Sequence, residues 1–302
     1  RYLKWDFAGV LCSPGQRYNK KIAFSDGYEG MRLISGIVHD ALNSTGKESL
    51  VLDCSARPYA NIGNFKMWYM TNDTGNTGIG FEHLRKVYTT VACHLFQNRV
   101  LALIQPSCVV VNGPGSIEEA RLRATVTFMT GGHIDISDDL TAMPEERWQI
   151  LKSILPPPPS TAKVIDLFHP VGVAPVSYVS LCKGEKEENQ INTEPQGALI
   201  WHMPIESDWD KWDIIAVLNY FNPLSKDGTK VPIQFDIPMK ALQLNPYDKY
   251  WVHEFWSGFF LGSLPAAQLP TKAYRHPGDY ARLLADAPRG IMRFILSGPA
   301  VK

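Results

Sequence analysis

The chain has 302 residues, 45% apolar and 20% charged, a globular composition with apolar mass enough for one large domain or two ordinary ones. Thirty basic residues balance thirty acidic ones, so no net field steers the chain to nucleic acid or anionic lipid. No apolar run approaches the ~20 residues of a membrane span. The five cysteines, Cys12, Cys54, Cys93, Cys108 and Cys182, are irregularly spaced without a CxxC pair, which argues against a disulfide scaffold or a zinc site and sets no compartment.

In chain order, YLKWDF (2–7) reads as a buried strand with polar residues at its end. A helix is expected over 24–44, with Met31, Leu33, Ile34, Ile37, Val38 and Leu42 at helical spacing. SLVLDCSA (49–56) and KMWYMTND (66–73) are the second and third strands, followed by a helix over 79–98. A strand is expected around Cys108–Val111. SIEEARLRATVTFMT (116–130) opens with the Ser-x-x-Glu signature of a capped helix. GGHIDIS (131–137) is a further strand, and a helix follows over 144–155 behind Pro144.

Strands alternating with helices predict βα units and a parallel sheet. Four prolines, Pro156 to Pro159, then read as a linker. Beyond them VIDLF, GALIWHM, WDIIAVLNYF, PIQFDI, YWVHEFW and IMRFIL are short aromatic or β-branched runs, as in an antiparallel β-sandwich. CKGEKEENQINTEP (182–195) reads as a charged loop. The expected division is a βα part over 1–158 and a β-sandwich over 159–302.

Chemistry concentrates at strand ends. Asp6, Asp53 and Asp73 each close a βα-unit strand, and in a βα barrel such residues converge on the active site at the C-terminal face. Glycoside chemistry needs two of them: one carboxylate attacks the anomeric carbon, the other protonates the leaving oxygen and then activates water. Strand-end aspartates also cap helices and open turns, and that reading stands beside the catalytic one. The same holds for Asp138 and Asp139 in DISDDL and for His133 in GGHID. NDTGNTG (72–78) lacks the carboxylate alternation and closing Glu of a calcium loop, so no metal and no cofactor are expected. Eight tryptophans would suit either a core or the apolar faces of sugar rings.

Particular words of the sequence carry a resemblance. YLKWDF resembles the nucleophile strand of the α-galactosidase (melibiase) clan of retaining glycoside hydrolases, LDCSARPYANIGNF its next strand, and MWYMTNDT the acid/base strand after that. The resemblance implies Asp6 as nucleophile and Asp73 as acid/base. It implies a substrate-binding set of Lys4, Trp5, Asp53, Cys54, Trp68 and Tyr69, with Lys4 on sugar hydroxyls and Cys54 lining the pocket. ALIQPSCVVVNGPGSIEEARLRATVTFMT and the segments through Pro157 follow in matching order, and WDIIAVLNYFN, EFW and HPGD look like the sandwich that ends these enzymes.

The implied substrate is an oligosaccharide or glycoconjugate ending in an α-linked galactose-type sugar. An α-N-acetylgalactosaminidase, a transglycosidase of the raffinose-synthase kind and a non-catalytic carbohydrate-binding relative are the alternatives. One departure is Tyr69, where many relatives carry Arg four residues before the acid/base. Another is position: Asp6 would lie on the fourth strand of an eight-stranded barrel. The chain is thus expected to supply strands four to eight of a (β/α)8 barrel and the sandwich, with an open sheet edge that is poorly stable alone.

Overall fold

The structure, a computed structural model, describes residues 1–9, 27–54, 58–74, 81–113, 115–168, 172–177, 191–196, 198–218, 241–245, 247–256, 258, 260–265 and 291–299. The segment 75–78 of NDTGNTG, PIQFDI, HPGD and the charged stretch 181–190 lie outside them.

The first layer is a parallel sheet of four strands in the order β1-β2-β3-β4. These are β1 (Tyr2–Asp6), β2 (Leu50–Cys54), β3 (Met67–Tyr69) and β4 (Leu103–Gln105). The expected fourth strand at Cys108–Val111 sits earlier in the chain, at Leu103–Gln105. Val109 makes only an isolated parallel bridge with Ile136, so GGHIDIS extends the sheet without forming a full strand. The backbone bonds His133 N–Ile104 O (2.8 Å), Val109 N–Asp135 O (2.7 Å) and Ser137 N–Val109 O (3.2 Å) lay 133–137 beside the β4 segment.

Three helices follow their strands. Helix α1 (Gly27–Asn43) buries the narrow stripe Gly27, Met31 and Ser35, whereas Leu33 and Ile37 of the expected apolar face stand exposed. Helix α2 (Phe81–His94) turns Leu84, Val87, Tyr88 and Val91 inward at i, i+3, i+4 and i+7, one face of a 3.6-residue period that Leu95 continues just past its end. Helix α3 (Ile117–Thr130) is capped as its sequence predicts: Ser116 Oγ accepts the Glu119 N–H, and Gly131 closes the other end at φ 60°. Leu122, Ala124, Val126 and Met129 are all fully buried, so α3 is buried on most sides and sandwiched between layers. Burying one such leucine contributes about 1.5–3 kcal/mol. Helix α4 (Glu145–Lys152) packs against α3 behind Pro144.

The proline run is held against the first layer. Arg99 Nη2 donates to Gly131 O and Pro158 O, and Asn98 Nδ2 donates to Thr130 O and Thr161 Oγ1. A Cβ on Gly132 would come within 2.1 Å of Ile104 O, so only glycine permits this approach to β4.

The second layer is antiparallel. Its strands are β5 (Lys163–Val164), β6 (Gly172–Ser177), β7 (Ile191–Gln196), β8 (Ile200–Glu206), β9 (Lys211–Leu218), β10 (Lys249–Glu254), β11 (Phe260–Pro265) and β12 (Ile291–Pro299). Six of them form a sheet in the order β11-β10-β12-β9-β8-β5, and β6 pairs with β7 alone. Two expectations are corrected here. VIDLF stops being a strand at Val164, because Asp166 turns in to accept the amides of Leu199 and Ile200 at 2.9–3.0 Å. The end of the charged stretch, Ile191–Gln196, is β7 and not loop. One apolar cluster runs from Trp68 and Leu84 through Leu122 to Trp201 and Ile215, so the two layers share a core across α3.

Candidate active site

Strand alternation and register decide which side chains meet. Asp6 pairs with Cys54 and Lys4 with Leu52, while Asp53 pairs with Trp68. Residues that pair directly share a face, so Lys4, Asp6, Cys54 and Tyr69 stand on one side of the sheet, and Trp5, Asp53 and Trp68 on the other. The first group, with Asp73, lines a cleft of about 770 Å³ at the C-terminal ends of β1–β3.

The second group faces the helices, which corrects its expected place in the substrate pocket. Trp5 packs on Phe65 at 5.6 Å between ring centres, close to Met31 and Ala60. Trp68 is fully buried and meets Tyr59 edge-on at 6.1 Å. Asp53 is 1% exposed and accepts a 2.5 Å bond from Asn61 Nδ2, which ties β2 to the turn Pro58–Asn61. An indole or a carboxylate at these positions cannot reach a sugar in the cleft.

In the cleft, Lys4 Nζ lies 3.6 Å from Asp6 Oδ2, and Phe7 N–H donates to Asp6 Oδ1 at 2.8 Å. Phe7 reaches that geometry at φ 53°, a left-handed turn just after the strand. Lys4 and the Phe7 amide thus face the two carboxylate oxygens of Asp6. Partial burial pulls the Lys4 ammonium down, but nearby carboxylates, Asp6 and Asp73, push it up and the net shift is upward. Burial pushes the Cys54 thiol up to about 12, against the pull of Lys4, so at neutral pH Cys54 is a neutral wall of the cleft.

Asp73 follows β3 and is held through its neighbours. Tyr69 Oη donates to Asp73 Oδ1 at 2.6 Å. His83 Nε2 donates to Asp73 O at 2.7 Å. Thr74 N–H donates to Ser107 Oγ at 2.9 Å, Thr74 Oγ1 to Cys108 O at 2.9 Å, and Arg123 Nη1 to Thr74 O at 3.2 Å. Ser107, buried at φ 83°, is the residue sequence reasoning missed; nothing local marks a serine 38 positions from Tyr69 as its partner. Asp138 and Asp139 take the anchoring role. Asp138 accepts the amides of Val111 and Asn112, and Asp139 caps the turn at Thr141. Among the described residues, no three His, Cys, Asp or Glu side chains are grouped to hold a metal ion. No helix among them is long and apolar enough to cross a membrane.

His133 stacks on Tyr2 at 6.0 Å and is not among the residues that line the cleft. Burial lowers its pKa from 6.5, against a smaller upward pull from Asp135. The unfolded chain therefore takes up the proton first as pH falls. The stabilisation from a neutral His133 is complete above the unfolded value and is lost as pH falls from about 6.5 toward the lower folded value. Denaturant midpoints at about pH 7.5 and pH 5 should differ less in His133→Gln than in the wild type; equal differences would contradict this.

The fold is that of α-galactosidase-like glycoside hydrolases. The chain superposes on α-galactosidase I from Mortierella vinacea with TM-score 0.58 at 13% identity, covering 98% of this chain and 67% of that one. For the α-galactosidase of Saccharomyces cerevisiae the values are 0.56 and 12%, covering 99% and 72%. For a family 27 β-L-arabinopyranosidase from Geobacillus stearothermophilus they are 0.59 and 12%, covering 100% of this chain and 58% of that one. No protein-family model matches the chain, and no curated protein matches its sequence.

Proposed function

We propose that this protein is a retaining glycoside hydrolase acting on terminal α-linked galactose-type residues, with Asp6 as nucleophile and Asp73 as acid/base. The observation that carries the reading is the gathering of Lys4, Asp6, Tyr69 and Asp73 on one cleft at parallel strand ends, where barrel enzymes do their chemistry. The parallel sheet is read as strands four to eight of a (β/α)8 barrel, with 133–137 as the last of these. β1 stands at the sheet's edge with no partner on its far side among the described residues.

In the first step a carboxylate oxygen of Asp6 bonds to the anomeric carbon. The bond to the leaving oxygen breaks toward that oxygen, which takes the proton from Asp73. In the second step water replaces Asp6 and returns a proton to Asp73, so the configuration is retained. Lys4, 3.6 Å from Asp6 Oδ2, is the cation beside the nucleophile and the donor offered to a sugar hydroxyl. Two carboxylates about 5–5.5 Å apart in the substrate complex are what this route requires.

The solved neighbours include an α-galactosidase determined with raffinose and a β-L-arabinopyranosidase. β-L-arabinopyranose has the α-galactose ring without its hydroxymethyl arm. The test is the protein's turnover of nitrophenyl α-galactoside, β-L-arabinopyranoside, α-N-acetylgalactosaminide and α-glucoside, with the first-formed anomer read by NMR. Hydrolysis of a galactose-type glycoside with retention is expected. Inversion, or no turnover of any of the four, overturns the reading.

A further inference from the structure

Tyr69 stands between the two proposed catalytic carboxylates. Its ring lies 5.8 Å from Lys4 Nζ, which in turn holds Asp6 at 3.6 Å. Its Oη donates to Asp73 Oδ1 at 2.6 Å and lies 2.7 Å from Ser107 Oγ. A phenol has one proton. With that proton on Asp73, the Ser107 hydroxyl is the donor to Oη, while Ser107 Oγ accepts the Thr74 amide at 2.9 Å. Tyr69 has therefore spent its only donor on Asp73 and has none for a sugar hydroxyl. This differs from the substrate-binding role that position 69 has in the sequence reading.

Resting on the glycosidase reading above, we propose that Tyr69 is a positioning residue for the acid/base, holding Asp73 Oδ1 so that the transferable proton resides on Oδ2. In the glycosylation step the Oδ2–H bond breaks and its proton goes to the glycosidic oxygen, which also takes the electron pair of the breaking C–O bond. Asp73 becomes an anion as this happens. A hydrogen bond to a carboxylate is shorter and stronger than one to a neutral carboxyl, so the Tyr69 bond strengthens along the reaction and acts on the transition state. Burial and the bond to Asp73 push the Tyr69 phenol upward, against a smaller pull from Ser107, so it remains a donor throughout.

The consequence depends on the leaving group. A sugar alcohol departs only when protonated, whereas a dinitrophenolate departs unaided. In Tyr69→Phe, kcat/KM should fall about 10–100-fold on a galactosyl disaccharide, within the range of general acid catalysis, and by less than about threefold on the dinitrophenyl α-galactoside. The basic limb of the disaccharide pH profile should move to higher pH, because the anion has lost its donor. Ser107→Gly is the second variant: φ 83° is a glycine's conformation, so the backbone tolerates it, and it removes the hydroxyl that polarises the phenol. It should show the same split in smaller measure, and it decides the matter if Tyr69→Phe does not fold. Equal losses on both substrates overturn the assignment of Tyr69 and leave the glycosidase reading standing. A wild type that cleaves neither substrate overturns both.

Discussion

On the proposed mechanism, Asp6→Ala should lower turnover of an aryl α-galactoside by about 10⁴-fold or more, because Asp6 is the group assigned to form the covalent intermediate. Added azide restores part of the rate and yields the β-configured glycosyl azide, since a small anion can enter the space the carboxylate leaves. The fold should be indifferent. The Asp6 side chain is 41% exposed, and its partners are the half-exposed Lys4 and the amide of Phe7. An exposed ion pair of this kind contributes about 0–1 kcal/mol. Thermal unfolding of the variant should therefore stay within a few degrees of wild type. A variant that keeps more than about a tenth of wild-type turnover, or one rescued to the α-azide, would remove Asp6 from the role of nucleophile.

Arg123→Met is expected to destabilise the protein by about 3–5 kcal/mol. The Arg123 and Glu119 side chains are 4% and 6% exposed and meet at 2.7 Å, one turn apart on α3. Removing the guanidinium strands a buried carboxylate, whereas removing both charges does not. Glu119→Gln with Arg123→Met should accordingly recover much of the loss, and a double-mutant cycle by denaturant unfolding measures the coupling. The pair also has a functional reach. Arg123 Nη1 donates to Thr74 O, the residue after Asp73, so α3 helps hold the loop of the proposed acid/base. A single variant as stable as wild type would show that the pair is not the anchor proposed.

Both predictions depend on features of different visibility. The Asp6 environment is nearly local. Lys4 and Asp6 are two residues apart on one strand, so any β-conformation puts them on the same side. The Ser-x-x-Glu cap of α3 and the inward stripe of α2 are local too, and the structure keeps them at Ser116 and at Leu84 to Leu95. Arg123 at i+4 from Glu119 is visible as a helix pair, but nothing along the chain says that both charges are buried.

Alternation and short-range spacing determined what the sequence by itself could: βα order followed by β-strands, and the Lys4–Asp6 pair. The same alternation lets only one member of Asp53–Cys54 and of Trp68–Tyr69 face the cleft, which the six-residue substrate-binding set did not respect. Which member does so was settled by the tertiary register. Asp6 pairs with Cys54 and Asp53 with Trp68, and this puts the thiol and the phenol in the cleft and the carboxylate and the indole among the helices. The same is true of Ser107. Its bond to Tyr69 spans 38 residues and needs a left-handed backbone after β4. Contacts of that range exist only once the strands are side by side, so a period-two pattern can offer the choice of face but cannot make it.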